Sequence, residues 1–185
     1  MNWFVLLLLA ASLSMDAFAV AVCGGMGLGE VTKKQALGIR FGFWFGGFQA
    51  LMPILGYYAA FYFKEYIQAY DHWVAFILLC YIGIGMVRPK AEGCAVTTDY
   101  TNKKMLILAV ATSIDALAVG ISLALLGEEI FSSAVVIGLV TFVFSYFGCL
   151  FGTKVGEWGQ RKAECLGGII LICIGFNVLF EHLMP

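Results

Sequence analysis

The sequence predicts an all-α integral membrane protein of six transmembrane helices, built as two inverted three-helix halves with both termini outside the cytoplasm. Composition, six long apolar stretches and a repeated segment predict this fold class. Of the 185 residues, 62% are hydrophobic and 12% are charged, whereas soluble domains carry about 25% charged residues. Because so short a chain would need a mostly polar surface in water, we expect lipid to surround it. A net charge of −1 gives no basis for binding nucleic acid.

The apolar stretches set the number of helices. A helix that crosses the hydrocarbon core of a bilayer needs about 20 mostly apolar residues. Six stretches meet or approach this length: Trp3 to Leu28, Phe41 to Phe63, Trp73 to Val87, Met105 to Leu126, Ile130 to Phe151 and Cys165 to Leu183. The first lacks the basic residues that begin a signal peptide and its apolar run is longer, so we expect it to remain as a helix.

The basic residues are concentrated in alternate loops and predict the orientation. Ten of the 11 Lys and Arg residues follow the first, third and fifth stretches: Lys33, Lys34, Arg40, Arg88, Lys90, Lys103, Lys104, Lys154, Arg161 and Lys162. The opposite loops hold Lys64 with the acidic Glu128 and Glu129. Because Lys and Arg accumulate in cytoplasmic loops, both termini are expected to lie outside the cytoplasm.

One segment of the chain occurs twice. Residues 9–20 read LAASLSMDAFAV, and residues 108–119 read LAVATSIDALAV. A chance similarity between apolar segments would explain the repeated Leu and Ala residues, but not an Asp at the same position of both. The register continues into the next stretch of each half, where the matching glycines are Gly42 with Gly138 and Gly56 with Gly152.

The repeat divides the chain into two predicted halves, residues 1–87 and 105–185, joined by a cytoplasmic linker of residues 88–104. Each half contains three spans, so the second half must enter the membrane from the opposite side. Many secondary transporters share this inverted plan, and their binding sites lie near the midplane where the halves meet.

The repeated aspartates, Asp16 and Asp115, are the principal candidates for a metal site. Each lies near the middle of an apolar stretch, where an ionised Asp costs roughly 2.5–3.5 kcal/mol, and such residues typically mark ion or proton pathways. We expect the symmetry of the halves to bring both carboxylates together at one depth. A divalent cation such as Mn²⁺, Mg²⁺ or Ca²⁺ would relieve their mutual repulsion. The alternative is a pair of protonated carboxyls that only pack helices.

Zinc is less favoured, because the two histidines, His72 and His182, lie at span ends. Residues three and four apart share a helix face, so one hydroxyl is expected beside each carboxylate. The lower-ranked candidates for the substrate site are Ser12, Ser14, Gln49, Thr112, Ser113, Ser145 and Asn177. Gln49 and Ser145 occupy equivalent places in the two halves. Each of these residues could instead only join neighbouring helices by hydrogen bonds.

A stripe of small residues runs along both repeated helices and predicts close packing of their backbones. Its members are Ala10, Ser14, Ala17, Ala21 and Gly24 in the first helix, and Ala109, Ser113, Ala116, Gly120 and Ala124 in the fourth.

Three other classes of function stay open at this point. A membrane thiol–disulfide electron carrier would use paired cysteines, but Cys23 has Ser122 at its repeat-equivalent position. The six cysteines have no C-x-x-C spacing, so we expect them to be structural. An exporter of a small organic cation or amino acid would need a larger cavity lined by aromatic residues. A passive channel would conduct without regard to a proton gradient.

The chain resembles the small bacterial manganese efflux pumps, within the lysine-exporter-like group of transporters. The resemblance rests on the length, the six spans, the SMDAFAV and SIDALAV repeats, the MPILG segment Met52 to Gly56, and Glu181-His182. It implies a multi-pass protein of the bacterial plasma (inner) membrane that exports Mn²⁺, with no enzymatic activity or cofactor and with Asp16 and Asp115 essential. Some relatives carry a carboxylate where this chain has Gln49, so that ligand would be neutral here.

Export of a divalent cation against an inside-negative potential costs about 4.6 kcal/mol per 100 mV, twice the value for one charge. The sequence has no G-x-x-x-x-G-K-[ST] pattern for nucleotide binding. We therefore expect proton antiport, in which protons neutralise Asp16 and Asp115 and expel the metal. A homo-oligomer formed through a glycine face is compatible with the short loops.

Overall fold

The computed structural model describes residues 2–26, 28, 30–61, 76, 77, 80, 84 and 100–183. Within them, the regular elements are five α-helices: α1 (Trp3–Met26), α2 (Val31–Phe61), α3 (Asn102–Thr112), α4 (Ile114–Leu125) and α5 (Ile130–Leu183). The predicted all-helical class is confirmed. Most of the third predicted span and of the linker lies outside the described residues.

Three helical stretches in this part of the chain are long and apolar enough to cross a membrane: Trp3–Met26, Asn102–Leu125 and Ile130–Lys154. They coincide with the first, fourth and fifth predicted spans. Their outward faces carry large apolar side chains such as those of Leu7, Ile107 and Leu139, as expected of helices that lie against lipid.

The described part of the second predicted span, from Phe41 to Phe61, belongs to α2, which begins ten residues earlier than the span, at Val31. The basic residues Lys33, Lys34 and Arg40 are therefore helical, and their prediction as loop residues is wrong. Glu30 forms an ion pair with Lys33 at 3.2 Å, in the i, i+3 spacing that supports a first helical turn.

The fifth and sixth predicted spans fall in one continuous helix, so the loop predicted between Phe151 and Cys165 is wrong. Residues 152–164 contain no proline and are rich in Lys, Glu, Gln and Arg, which are good helix formers. Yet Ile174 belongs to the same buried cluster as Ile137. A straight helix would place Ile174 roughly 55 Å beyond Ile137 at 1.5 Å per residue, so α5 is not a single straight rod.

Contacts between the helices fix their relative directions. Leu13 of α1 contacts Gln49 of α2, and Gly24 lies against Phe41, so α1 and α2 are antiparallel. Ser14 contacts Thr141, and the backbone of Val22 lies beside Gly152. These pairs make α1 parallel to the first part of α5.

The remaining directions follow from α2. Gln49 contacts Thr112, and Gly120 lies against Pro53, so α2 is parallel to α3 and α4. Because α1 is antiparallel to α2, α1 is also antiparallel to α3 and α4.

Two contacts between α2 and α5 are equivalent to each other under the sequence repeat. A Cβ at Gly42 would stand 2.7 Å from the ring of Phe142, and one at Gly138 would stand 2.9 Å from the carbonyl oxygen of Gly46. In the register of the repeat, position 42 corresponds to 138 and position 46 to 142. Each contact is therefore the counterpart of the other: the absent side chain leaves room for a ring at Gly42 and for the backbone of α2 at Gly138.

Two buried clusters form the core. The aliphatic cluster consists of Leu9, Ala10, Leu13, Val119, Leu123, Ile130, Ile137 and Ile174. The aromatic cluster consists of Ala17, Ala21, Leu37, Phe41, Phe45, Met105, Ala109 and Cys149. Phe41 stacks on Phe45 with ring centroids 5.1 Å apart. The predicted stripe of small residues is confirmed, since all ten of its members are buried.

Candidate functional site

A layer of polar side chains lies between the two apolar clusters. Polar residues occur in α1, in α2, in α3 with α4, and in the first part of α5. In each of these, they separate residues that belong to or pack on the aliphatic cluster from residues of the aromatic cluster. We define the polar layer as Ser14, Asp16, Gln49, Thr112, Ser113, Asp115, Thr141 and Ser145. Its six uncharged members are buried, and both aspartates are half-buried. The two apolar clusters therefore lie on opposite sides of the layer along the helices.

The side-chain amide of Gln49 joins the two repeated helices. Its Nε2 atom donates to the carbonyl oxygen of Leu13 at 2.9 Å and to that of Thr112 at 3.2 Å. Leu13 and Thr112 are repeat-equivalent residues, each three positions before its aspartate. The contact therefore brings the two copies of the motif together at one buried side chain of α2.

The fourth predicted span is broken at Ser113, which separates α3 from α4. Ser113 has φ −112° and ψ 6°, outside the α-helical region. Oδ1 of Asp115 accepts a hydrogen bond from the backbone N–H of Ala116 at 2.8 Å. In an unbroken helix that N–H would donate to the carbonyl of Thr112, which here accepts from Gln49. The break thus places Asp115 in the first turn of α4, where the partial positive charge of the helix favours a carboxylate.

The hydroxyls that the sequence places beside the aspartates, those of Ser12 and Thr112, donate to backbone carbonyls. Ser12 Oγ donates to the carbonyl of Leu8 at 2.9 Å, and Thr112 Oγ1 donates to that of Ala109 at 3.3 Å. Neither bond reaches a carboxylate. Ser14 Oγ donates to the carbonyl of Ala10 and also shares a 2.9 Å hydrogen bond with Thr141.

Three buried oxygen atoms of the layer have no hydrogen-bond partner among the described residues: Gln49 Oε1, Ser113 Oγ and Ser145 Oγ. Buried polar atoms nearly always bond to protein, water or an ion. Neutral oxygen atoms together with carboxylates are the donors that hard divalent cations prefer. The donor set of the layer therefore fits such a cation as a transported substrate.

The described residues contain no group of three or more His, Cys, Asp or Glu side chains placed to hold a metal ion. A cation in this layer would therefore depend on the two aspartates and on neutral oxygens. The side chains of Asn177 and His182, and the whole of His72, lie outside the part that the structure describes. Cys23 is disulfide-bonded, whereas Cys80, Cys149 and Cys173 are free.

Thr141 and Lys34 are two buried polar residues that the sequence reasoning missed. Thr141 faces Ser14, and its repeat-equivalent position is Phe45, so the repeat gave no signal for it. Its position four residues before Ser145, on the same helix face, was the available clue. Lys34 is 6% exposed and donates to Thr153 Oγ1 at 3.1 Å, which joins α2 to α5.

An all-helical protein with membrane-length apolar helices and a layer of buried oxygen donors between apolar clusters is of the class of integral membrane transport proteins. Residues 30–179 match the family model described as "Putative manganese efflux pump". The chain belongs to this family.

Relatives named "Putative manganese efflux pump MntP" align along nearly the whole chain. The protein of Acetivibrio thermocellus is 45% identical over 99% of this chain and 93% of its own length. That of Desulfitobacterium hafniense is 48% identical over 96% and 94%, respectively. That of Clostridium perfringens is 42% identical over 98% and 96%. No solved structure matches the chain.

Proposed function

We propose that this protein exports Mn²⁺ from the cytoplasm and that the polar layer is its transport site. Asp16 and Asp115 supply the negative charge, and Gln49, Ser113 and Ser145 supply neutral oxygens. The observation that carries the proposal is the enclosure of two repeat-related aspartates between two apolar clusters, in a chain whose family is named for manganese efflux.

The enclosure is what an exporter needs. A site sealed from both sides of the membrane can hold a cation while the protein changes from one open state to the other. Outward movement of the aromatic cluster would open one side of the layer, and outward movement of the aliphatic cluster would open the opposite side. A passive channel would instead need both sides open at once.

We propose the six-span arrangement of two inverted halves, residues 1–87 and 105–185, in the plasma membrane with both termini outside the cytoplasm. Three observations support it. The first helix is antiparallel to α3 and α4, as an inverted repeat requires. The contacts between α2 and α5 are exchanged by the repeat. Most Lys and Arg residues follow alternate spans.

We propose proton antiport as the source of energy. Moving Mn²⁺ out against a potential of 100 mV requires about 4.6 kcal/mol. Two protons entering for each Mn²⁺ leaving would make the exchange electroneutral. Binding of protons to Asp16 and Asp115 would weaken the attraction that holds the cation, so that protons and metal compete for one pair of carboxylates.

The test uses the purified protein in sealed vesicles that contain a Mn²⁺-sensitive dye. Uptake of Mn²⁺ is measured with an imposed pH gradient, without one, and with the gradient abolished by a protonophore. We expect Mn²⁺ uptake to increase when the proton concentration is higher inside the vesicle than outside. The dye-free medium outside the vesicles should become more acidic in proportion to the Mn²⁺ taken up. Equal uptake in all three conditions would overturn proton coupling, and absence of Mn²⁺ uptake in all of them would overturn manganese transport itself.

A further inference from the structure

We infer that α1 and α4 slide together by one helical turn past α2 and the first part of α5 when the protein changes from one open state to the other. We call α1 with α4 the sliding unit, and α2 with residues 130–154 of α5 the frame. This inference rests on the proposed transport of Mn²⁺ and adds the movement by which it would occur. The observation that carries it is a difference of four residues between two helix contacts that the repeat makes equivalent.

The first of these contacts joins α1 to α5. A Cβ at Gly25 would overlap the carbonyl oxygen of Cys149, and a Cβ at Gly152 would overlap that of Val22. Helix backbones come this close only where a side chain is absent. The two overlaps therefore fix which residues of α1 lie beside which residues of α5.

The second contact joins α4 to α2 in the same manner. A Cβ at Gly120 would overlap the carbonyl oxygen of Pro53, and a Cβ at Gly56 would overlap that of Leu117. The positions on α2 are the repeat equivalents of those on α5. Each repeated helix thus packs on the same two positions of its neighbour.

The residues that the repeated helices place at those positions are not equivalent. In the register of the repeat, Cys149 corresponds to Pro53 and Ala21 corresponds to Gly120. An exactly symmetric structure would therefore hold Ala21 beside Cys149. The residue found there is Gly25, four residues later in α1.

The other overlap shows the same difference. Gly152 corresponds to Gly56, and Phe18 corresponds to Leu117. Symmetry would place the carbonyl of Phe18 beside Gly152, but the carbonyl found there is that of Val22, again four residues later. Two independent overlaps therefore give one register difference, which is about one helical turn or 6 Å at 1.5 Å per residue.

Only one kind of axial displacement produces this asymmetry. If one three-helix half moved as a rigid body along the other, the contact of α1 with α5 and that of α4 with α2 would shift equally in the register of the inverted repeat and stay equivalent. If α1 and α4 move together in one direction, the two contacts shift oppositely, because these helices are antiparallel. The difference of about 6 Å then means that the sliding unit lies about 3 Å from its symmetric position in the frame.

The opposite displacement gives the other state. A slide of about 6 Å would exchange the two registers, so that Ala21 lies beside Cys149 and Ala124 lies beside Pro53. One-turn steps of one element past another are an established kind of switching movement. Both alanines belong to the buried stripe of small residues, so the helices can stay close in either register. Their methyl groups make the second register less tightly packed than the first.

The slide would act on the whole proposed site. Asp16 lies in α1 and Asp115 lies in α4, so the sliding unit carries both carboxylates. Each apolar cluster contains residues of the sliding unit and of the frame. One movement would therefore rearrange the packing on both sides of the polar layer.

The test is disulfide cross-linking of the full-length protein in membrane vesicles. The hydroxyl oxygens of Ser14 and Thr141 are 2.9 Å apart, so Ser14→Cys with Thr141→Cys reports the present register. After the slide Thr141 would lie beside Ala10, one turn earlier, so Ala10→Cys with Thr141→Cys reports the other register. The control is Leu6→Cys with Thr141→Cys, because Leu6 is buried a further turn away. A membrane-permeable oxidant forms the bonds, and mass spectrometry identifies the joined peptides among those of the native cysteines.

We expect the Ser14 and Ala10 pairs to cross-link and the Leu6 pair not to. Ala124→Gly removes a methyl group from the second register at the contact of α4 with α2. If α1 and α4 move together, this change should raise the ratio of Ala10 to Ser14 cross-links by about fivefold or more. Ala59→Gly, at an exposed position of α2, should leave the ratio unchanged.

Three results would overturn the inference. Cross-linking of the Ser14 pair without the Ala10 pair would show a fixed difference between the halves. An Ala10 cross-link that Ala124→Gly leaves unchanged would show that α1 and α4 do not move together. Equal cross-linking of the Leu6 and Ala10 pairs would show loose packing instead of a one-turn step.

Mn²⁺ uptake by the wild type in the same vesicles separates the slide from the proposed function. Uptake without an Ala10 cross-link would overturn the slide and leave manganese transport in place. Cross-links in both registers without any uptake would support the slide and overturn manganese transport.

Discussion

Substitution of Gly120 by alanine is predicted to separate α4 from α2 and to destabilise the protein. A Cβ at Gly120 would meet the backbone of Pro53, at 2.6 Å from its Cα and in direct overlap with its carbonyl oxygen. Carbon atoms pack at about 3.5–4.0 Å, so the two helices would have to move apart by about 1 Å. Both atoms belong to backbone, so no side-chain rotation can relieve the overlap.

The magnitude follows from the loss of packing. A gap of 0.5–1 Å removes a quarter to a half of each dispersion contact that it opens, and membrane helices associate largely through such contacts. Overpacking of this kind typically costs about 1–3 kcal/mol. Alanine also favours the helix over glycine by about 1 kcal/mol, which would mask part of the effect in Gly120→Ala alone.

Gly47→Ala provides the matched control. Gly47 is also helical, but it is exposed and a Cβ there would meet nothing within 4 Å. The gain in helix propensity is common to both variants, so the difference between them isolates the packing term. We expect the melting temperature of Gly120→Ala to be lower than that of Gly47→Ala, by about 2–4 °C for each kcal/mol of packing energy that is lost. Both variants are measured in the same detergent. Equal melting temperatures for both variants would refute the close contact of α4 with α2.

Two further predictions concern buried hydrogen bonds. Ser14→Ala removes the hydrogen bond to Thr141 and should lower the free energy of unfolding by about 1 kcal/mol. The control Ser132→Ala, at an exposed position, should leave the free energy of unfolding unchanged. Thermal unfolding of both variants measures the difference. Thr153→Val removes the described partner of the Lys34 ammonium and should cost about 1 kcal/mol. Lys34→Met added to Thr153→Val should recover stability, because no buried charge is then left; a double variant less stable than Thr153→Val would contradict this reading.

The sequence predicted the features that depend on pattern alone. The helical class, the first span and the burial of the small stripe follow from hydrophobicity and residue size, which act locally along each helix. The contact of Gln49 with neighbouring helices was predictable in part, because a polar residue in an apolar span needs a hydrogen-bond partner. The repeat then indicated which helices would meet.

Features that depend on tertiary partners were not predictable in this way. Ser14 and Ser113 occupy the same position of the repeat, yet only Ser113 breaks its helix. The break accompanies the hydrogen bond from the N–H of Ala116 to Asp115 Oδ1, whereas Gln49 donates to the equivalent carbonyl in both helices. Likewise, Thr141 pairs with Ser14 although the repeat places Phe45 at the equivalent position. The continuous helix over residues 152–164 shows that basic residues do not by themselves mark the end of a helix.

The most direct test of the central claim is the manganese content of cells challenged with Mn²⁺. Cells without the protein are compared with cells that carry the wild type, Asp16→Asn, Asp115→Asn or the control Glu129→Gln, at matched amounts in the membrane. Glu129 is an exposed carboxylate outside the polar layer. We expect the wild type and Glu129→Gln to lower cell manganese and both aspartate variants to fail to do so. Aspartate variants that lower cell manganese as well as the wild type would contradict a transport site built on Asp16 and Asp115.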